Sequence, residues 1–128
     1  MNGRNKAARI LVALGGIVLF ASAAVHSVVY AKGLSPALSA SNLAAPLQAA
    51  LRAIFLLVSW DWIVIGVIVL VAAFTETKLR KILVLFCGVA VLVQTGLALA
   101  FIGLFIGSEM MASAALLIIC GGLLFQNA

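Results

Sequence analysis

Four long apolar runs, separated by short polar segments, dominate the pattern of the chain. They cover approximately residues 8–30, 46–74, 82–103 and 110–125. Each can cross a bilayer as an α-helix, which takes about 20 residues, and the fourth run is at the short end of the range. The runs do not alternate between apolar and polar positions as the strands of a membrane barrel do. The pattern therefore predicts an all-α fold, a bundle of four transmembrane helices in one domain of residues 1–128.

The segment between the first two runs, residues 31–45, is too rich in alanine and leucine for a solvated linker. Ser35 followed by Pro36 is typical of a helix start, because serine can cap free N–H groups and proline fits the first turn. Pro46 likewise predicts a helix start at the beginning of the second run. We expect a short interfacial helix between spans one and two.

Composition supports lipid as the solvent of this chain. Hydrophobic residues make up 66% of the sequence and charged residues 9%, whereas soluble domains have about half apolar and a quarter charged residues. The net charge of +5 arises from small basic groups beside the apolar runs, without the basic stripe of nucleic-acid binders. A lipid bilayer is the predicted partner, and nucleic acid is not.

The basic residues predict the orientation of the spans. Most of them precede the first run or follow the second: Arg4, Lys6, Arg9, Lys78, Arg80 and Lys81. The opposite side has Lys32 and, at the entrance to the second run, Arg52. Because cytoplasmic loops are enriched in lysine and arginine, both termini are predicted to be cytoplasmic.

The first run also has features of a signal peptide. Basic residues precede it, and Ala21, Ser22 and Ala23 resemble a small-residue cleavage site. The apolar stretch continues beyond that site through Val28 and Val29, which favours a retained helix.

Small residues predict where helices approach one another in the bilayer. The third run and its end place such residues at intervals of four, three and four: Gly96, Ala100, Gly103 and Gly107. In the first run, Gly15 and Ser22 share a face with His26. Two interpretations remain open, namely packing within the bundle and association with a second copy or another membrane protein.

Few polar side chains interrupt the apolar runs, and each costs about 2.5 to 3.5 kcal/mol at the bilayer centre unless it finds a partner. At 1.5 Å per residue they fall in the outer half of the membrane. The predicted ligand-binding residues are His26, Tyr30, Trp60, Asp61, Gln94 and Glu109. Trp60 and Trp62 lie about 200 degrees apart on the helix, so that one of them lines a pocket while the other faces lipid.

Two hypotheses follow for these polar residues. They form a pocket open to the outer face that takes a small amphiphilic ligand, or Asp61 pairs with His26 or Gln94 to fix helix register. His26 is the only histidine, and Cys87 and Cys120 have no CxxC or metal-ligand spacing. No catalytic residue, metal site or cofactor is predicted, and an enzyme acting on a lipid or quinone is a third possibility.

Two segments, FASAAVHSVVY and ALRAIFLLVSWDWIVIG, resemble small bacterial four-helix membrane proteins of the DoxX-like and unassigned type. The shared features are a histidine late in the first span and an Ala-Leu-Arg-Ala entrance to the second. The resemblance implies a multi-pass protein of the bacterial inner membrane without a defined activity. The chain lacks the first-span glutamate of the small multidrug exporters.

The leading hypothesis is a non-enzymatic helical-bundle subunit or binding module that packs with itself or with another membrane protein. The alternative is a small transporter or amphiphile-binding protein that uses the outer-half pocket.

Overall fold

The computed structural model describes residues 3–126, and every regular element in that range is helical. The elements are α1 (Gly3–Val29), a π-helical turn (Tyr30–Leu34), α2 (Ser35–Ser39), α3 (Ala45–Phe74), α4 (Arg80–Phe101) and α5 (Ile106–Leu124). Four helices are long and apolar enough to cross a membrane, with α1, the π-helical turn and α2 forming the first of them. The predicted all-α four-helix fold is confirmed, and the chain is a small multi-pass membrane protein.

The four spans run antiparallel to their chain neighbours, because short segments connect them. Around the bundle their order is α3, α1, α5, α4, and α1 packs extensively against both α5 and α3. The seam between α3 and α4 has far fewer contacts than the other three interfaces. We call the end with Gly3, the 75–79 turn and Gln126 the basal end, and the opposite end the distal end. That the basal end is cytoplasmic stays a prediction.

Glycines bring the backbones of α1 and α5 close together. A Cβ atom added at Gly121 would lie 2.9 Å from the Ala8 carbonyl oxygen and 3.0 Å from the Val12 nitrogen. Gly15 faces Ala114 and Ile118 in the same interface. In lipid, the hydrophobic effect contributes little to the association of helices. Close approach of this kind stabilises the helix pair by van der Waals contact instead. The α1–α5 pair therefore forms the centre of the bundle.

The predicted small-residue stripe of the third span is not a packing surface within this chain. Gly96 and Ala100 are exposed, and a Cβ at Gly96 would meet nothing within 4 Å. Gly103 follows the end of α4, where its φ of 90° lets its N–H bond back to Leu99 at 3.1 Å. Gly107 belongs to α5. The stripe ends because α4 ends at Phe101, and Gly96 and Ala100 do not pack within the bundle. Association of these residues with another chain stays a prediction.

The segment after the first span differs from the prediction in how its helix begins. Ser35 makes no capping hydrogen bond, and the backbone of Leu34 is already helical. Instead, α1 passes through the π-helical turn, in which the Ser35 N–H bonds to the Tyr30 carbonyl. A proline ring clashes with the carbonyl four residues earlier in an α-helix, and the wider turn accommodates Pro36. α2 is consequently an extension of the first span.

Candidate functional site

A groove opens in the distal half of the seam between α3 and α4. Its volume is about 580 Å³. The apolar walls come from three helices and include Ile54, Phe55, Val58, Leu97, Ala98 and Met111. Because α3 and α4 separate here, the groove lies open to the surface of the bundle rather than enclosed in its core. We call it the seam groove.

A chain of hydrogen bonds crosses the seam at the floor of this groove. Trp62 Nε1 donates to Gln94 Oε1 at 2.8 Å, and Gln94 Nε2 donates to Asp61 Oδ2. An indole N–H can only donate, so Trp62 fixes which end of the Gln94 amide faces Asp61. Asp61 Oδ1 has no hydrogen-bond partner within residues 3–126. The floor thus presents an acceptor to any molecule in the groove.

His26 reaches the groove from α1 and contacts two aromatic rings. Its ring stacks on Phe55, with centroids 3.7 Å apart and planes 13° apart, and it meets Trp62 edge-on at 5.0 Å. His26 Nε2 lies 3.2 Å from the Phe55 carbonyl oxygen. A carbonyl only accepts, so Nε2 carries the hydrogen and Nδ1 is left for other contacts. Among the residues described, Asp61 pairs with Gln94 and not with His26.

Ser59 is a buried hydroxyl beside this contact. In the spans, the hydroxyls of Ser22, Ser27, Thr95 and Ser113 each donate to the carbonyl four residues earlier. For Ser59 that carbonyl belongs to Phe55, to which His26 is bonded. Ser59 is 6% exposed, and its Oγ has no partner in the described part of the chain. The same carbonyl is therefore the natural acceptor for two side chains on different helices.

The structure brings three of the six predicted ligand-binding residues to the groove, namely His26, Asp61 and Gln94. Tyr30 lies next to them, with its ring 5.7 Å from that of Phe55. Glu109 is exposed in the first turn of α5 and does not line the groove. At that position the negative charge of Glu109 is stabilised by the positive end of the helix dipole.

Trp60, which the sequence predicts as a ligand-binding residue, does not line the groove. Trp60 is 63% exposed on the outside of the bundle, whereas Trp62 is 3% exposed and lines the groove. The buried face of α3 is marked by small residues seven positions apart, namely Ser59, Gly66 and Ala73. Trp62 comes three residues after Ser59, which is nearly one turn, and therefore lies on the same face. That spacing is the signal in the sequence that distinguishes the two tryptophans.

The remaining wall residues, such as Phe55 and Met111, carry no signal in the sequence. They are ordinary apolar residues of a membrane span. Their place in the groove depends on how α3 and α4 splay apart, which is a tertiary feature.

Residues 3–126 contain no group of three or more histidine, cysteine, aspartate or glutamate residues that could hold a metal ion. Cys87 and Cys120 are both free thiols. Chemically, the site combines apolar and aromatic walls with one carboxylate oxygen available as an acceptor.

Comparison with protein-family models, with curated proteins and with solved structures finds no match for this chain. The resemblance to DoxX-like proteins therefore stays a prediction. Any functional assignment has to follow from the bundle and the groove themselves.

Proposed function

We propose that this chain is a non-enzymatic binding module of the bacterial inner membrane, and that its seam groove holds an amphiphile with a hydrogen-bond donor or a cationic head. The observation that carries the proposal is the unpaired oxygen of Asp61 at the floor of an apolar groove. A polar group inside a bilayer is expensive without a partner, which makes such a position a functional candidate.

The direction of the hydrogen bonds defines the head of the ligand. Trp62 donates to Gln94, and Gln94 donates to Asp61, so the chain of bonds ends on a group that only accepts. Asp61, at the end, needs a donor. An ammonium group satisfies it best, because charge-assisted hydrogen bonds are roughly twice as strong as neutral ones. A hydroxyl group is a weaker alternative, and a carboxylate is repelled.

The walls define the body of the ligand. A volume of about 580 Å³ falls in the range of about 300 to 1,000 Å³ that is typical of small-molecule sites. The rim consists of exposed apolar side chains on both sides of the seam: Ile54, Leu57, Leu97 and Ile102. In a membrane these residues contact lipid tails. A molecule dissolved in the bilayer can thus enter sideways between α3 and α4 without crossing water.

Ligand binding can be measured with the groove's own tryptophan. The chain has two tryptophans, so a Trp60→Phe background leaves Trp62 as the only indole. We expect its fluorescence to change when dodecylamine is added to the protein in neutral detergent, with weaker responses to dodecanol and none to dodecanoate. In the same background, Asp61→Asn is expected to weaken amine binding about tenfold to a hundredfold, because a hydrogen bond to a charged group contributes about 1.5 to 3 kcal/mol.

Glu109→Gln is the matched control, since it removes an acidic group near the distal end that does not line the groove. It should leave the amine affinity unchanged. Equal affinities for dodecylamine, dodecanol and dodecanoate, or an Asp61→Asn variant that binds the amine as the parent does, would contradict the proposal.

A second candidate function is self-association through α4, which the exposure of Gly96 and Ala100 supports. On this hypothesis, Gly96→Ile prevents the α4 helices of two copies from approaching closely. Overpacking a contact costs about 1 to 3 kcal/mol, so we expect dimerisation to weaken about tenfold. Native mass spectrometry over a concentration series measures the dimer fraction. Val67→Ile adds bulk to an exposed position on α3 instead and should have no effect. A protein that stays monomeric throughout the series excludes this candidate.

A further inference from the structure

A second cavity, of about 630 Å³, lies at the basal end of the bundle, away from the seam groove. It is formed by the turn between α3 and α4, the first two turns of α4 and polar groups near both described ends of the chain. The residues that matter for its chemistry are Thr77, Lys78, Arg80, Lys81, Ile82 and Leu85. We call it the basal pocket. The proposed function does not involve it.

The charge of the basal pocket is positive and largely uncompensated. Lys78 and Lys81 have no hydrogen-bond or ion-pair partner among residues 3–126. The acidic residue of the lining, Glu76, is bonded to Arg9, with Nη2 and Oε1 2.6 Å apart. That ion pair neutralises Glu76, so it does not offset the lysines. The pocket is therefore suited to an anion.

Arg80 is held in a fixed position in the pocket wall. It is 6% exposed, although an arginine side chain is always charged and is rarely buried without partners. Its Nη1 donates to the Thr75 carbonyl at 3.2 Å, and its guanidinium lies 4.0 Å from the centre of the Phe125 ring. These contacts orient the group and leave its remaining N–H donors for a ligand.

The start of α4 adds backbone donors beside the same pocket. The first turn of α4 has no acidic residue, and no side chain caps it. Within residues 3–126, the N–H groups of Lys81 and Ile82 have no acceptor. Free N–H groups and the positive end of a helix dipole favour a phosphate group. Side chains and backbone thus supply donors at one place.

We propose that the basal pocket binds the phosphate group of an anionic phospholipid. Phosphate is the anion that matches a fixed guanidinium, two ammonium groups and free helix N–H groups. A lipid is favoured over a soluble phosphate compound because Ile82 and Leu85 continue the pocket onto the apolar face of α4, where Ile82 is 66% exposed. Acyl chains can lie along this face while the phosphate occupies the polar end.

The test uses the purified full-length protein with an equimolar mixture of phosphatidylglycerol and phosphatidylcholine that have the same acyl chains. Both lipids contain a phosphate group, but the choline ammonium of phosphatidylcholine is repelled by Lys78 and Lys81. Native mass spectrometry should therefore show one phosphatidylglycerol retained in preference to phosphatidylcholine. Each basic residue near an anionic lipid contributes about fivefold to binding. The Lys78→Gln/Lys81→Gln double variant is therefore expected to reduce the preference about twenty- to thirtyfold.

Lys6→Gln is the control for charge alone, because Lys6 is exposed at the same end and does not line the pocket. It should retain the preference, and so should Lys32→Gln at the distal end. Circular dichroism checks that all variants are folded. Because binding is measured on purified protein, an effect of the lysines on membrane orientation does not enter the result.

Two outcomes would overturn the proposal. One is equal retention of phosphatidylglycerol and phosphatidylcholine by the unaltered protein, or an undiminished preference in the double variant. The other is retention of added inorganic phosphate when phosphatidylglycerol is absent, with the same dependence on Lys78 and Lys81. That second result would assign the pocket to a soluble phosphate compound instead of a lipid.

Discussion

Replacing Gly121 with alanine is expected to lower the free energy of unfolding by about 1 to 3 kcal/mol, the range seen when a methyl group is forced into a packed interface. The new Cβ would lie 2.9 Å from the Ala8 carbonyl oxygen and 3.0 Å from the Val12 nitrogen. Those atoms are backbone, so α1 and α5 must move apart to accommodate it. Reversible unfolding in mixed micelles with increasing dodecyl sulfate, followed by circular dichroism, measures the change.

Gly96→Ala is the matched control for this experiment. It makes the same chemical change within a membrane helix, but a Cβ at Gly96 meets nothing within 4 Å. Alanine has a higher helix propensity than glycine, so this variant should be as stable as the parent or slightly more stable. If Gly121→Ala and Gly96→Ala were equally stable, the close packing of α1 against α5 would be refuted.

Replacing Gln94 with leucine is expected to destabilise the bundle by about 2 to 4 kcal/mol. The substitution removes the acceptor of Trp62 Nε1 and the donor to Asp61 Oδ2 together. An unsatisfied buried group costs about 1 to 3 kcal/mol, and the cost is smaller for Asp61, which is half-buried. The same unfolding assay measures the loss. Dodecylamine binding in the Trp60→Phe background should also weaken, because the Asp61 carboxylate is no longer held in place.

The triple variant Asp61→Leu, Trp62→Phe, Gln94→Leu separates loss of partners from loss of packing. It removes all three polar groups at once, and apolar replacement of a buried polar cluster is often neutral or stabilising. We expect it to recover most of the stability that Gln94→Leu loses. A triple variant less stable than Gln94→Leu alone would contradict this account, because both hydrogen bonds are already absent from Gln94→Leu and the further loss would come from packing.

The number of spans and the heights of their polar residues could be predicted from the sequence. The four apolar runs correspond to helices that can cross a membrane, because run length and rise per residue are local properties. The same arithmetic placed His26, Asp61 and Gln94 in one half of the bundle, and all three line the seam groove. Height follows from counting residues along a helix axis.

Rotation about each helix axis could not be predicted in the same way. Trp60 and Trp62 have nearly the same height, yet one faces outward and the other lines the groove. On α4, the sequence left open whether Gly96 and Ala100 pack within the bundle or against another chain, and in the structure they are exposed. Membrane helices are apolar on every side, so the contrast between polar and apolar faces that orients soluble helices is weak here.

The shared carbonyl of Phe55 has a consequence for movement between α1 and α3. His26 on α1 is bonded to it, while Ser59, four residues later on α3, has no partner. If α1 slides and withdraws the imidazole, the Ser59 hydroxyl can donate to the Phe55 carbonyl. The other hydroxyls of the spans already donate in this way to the carbonyl four residues earlier. The exchange conserves the number of bonds to that oxygen. The Phe55 carbonyl therefore keeps its number of side-chain hydrogen bonds, while His26 Nε2 loses its acceptor, so the cost of such a movement falls on His26 and not on the carbonyl.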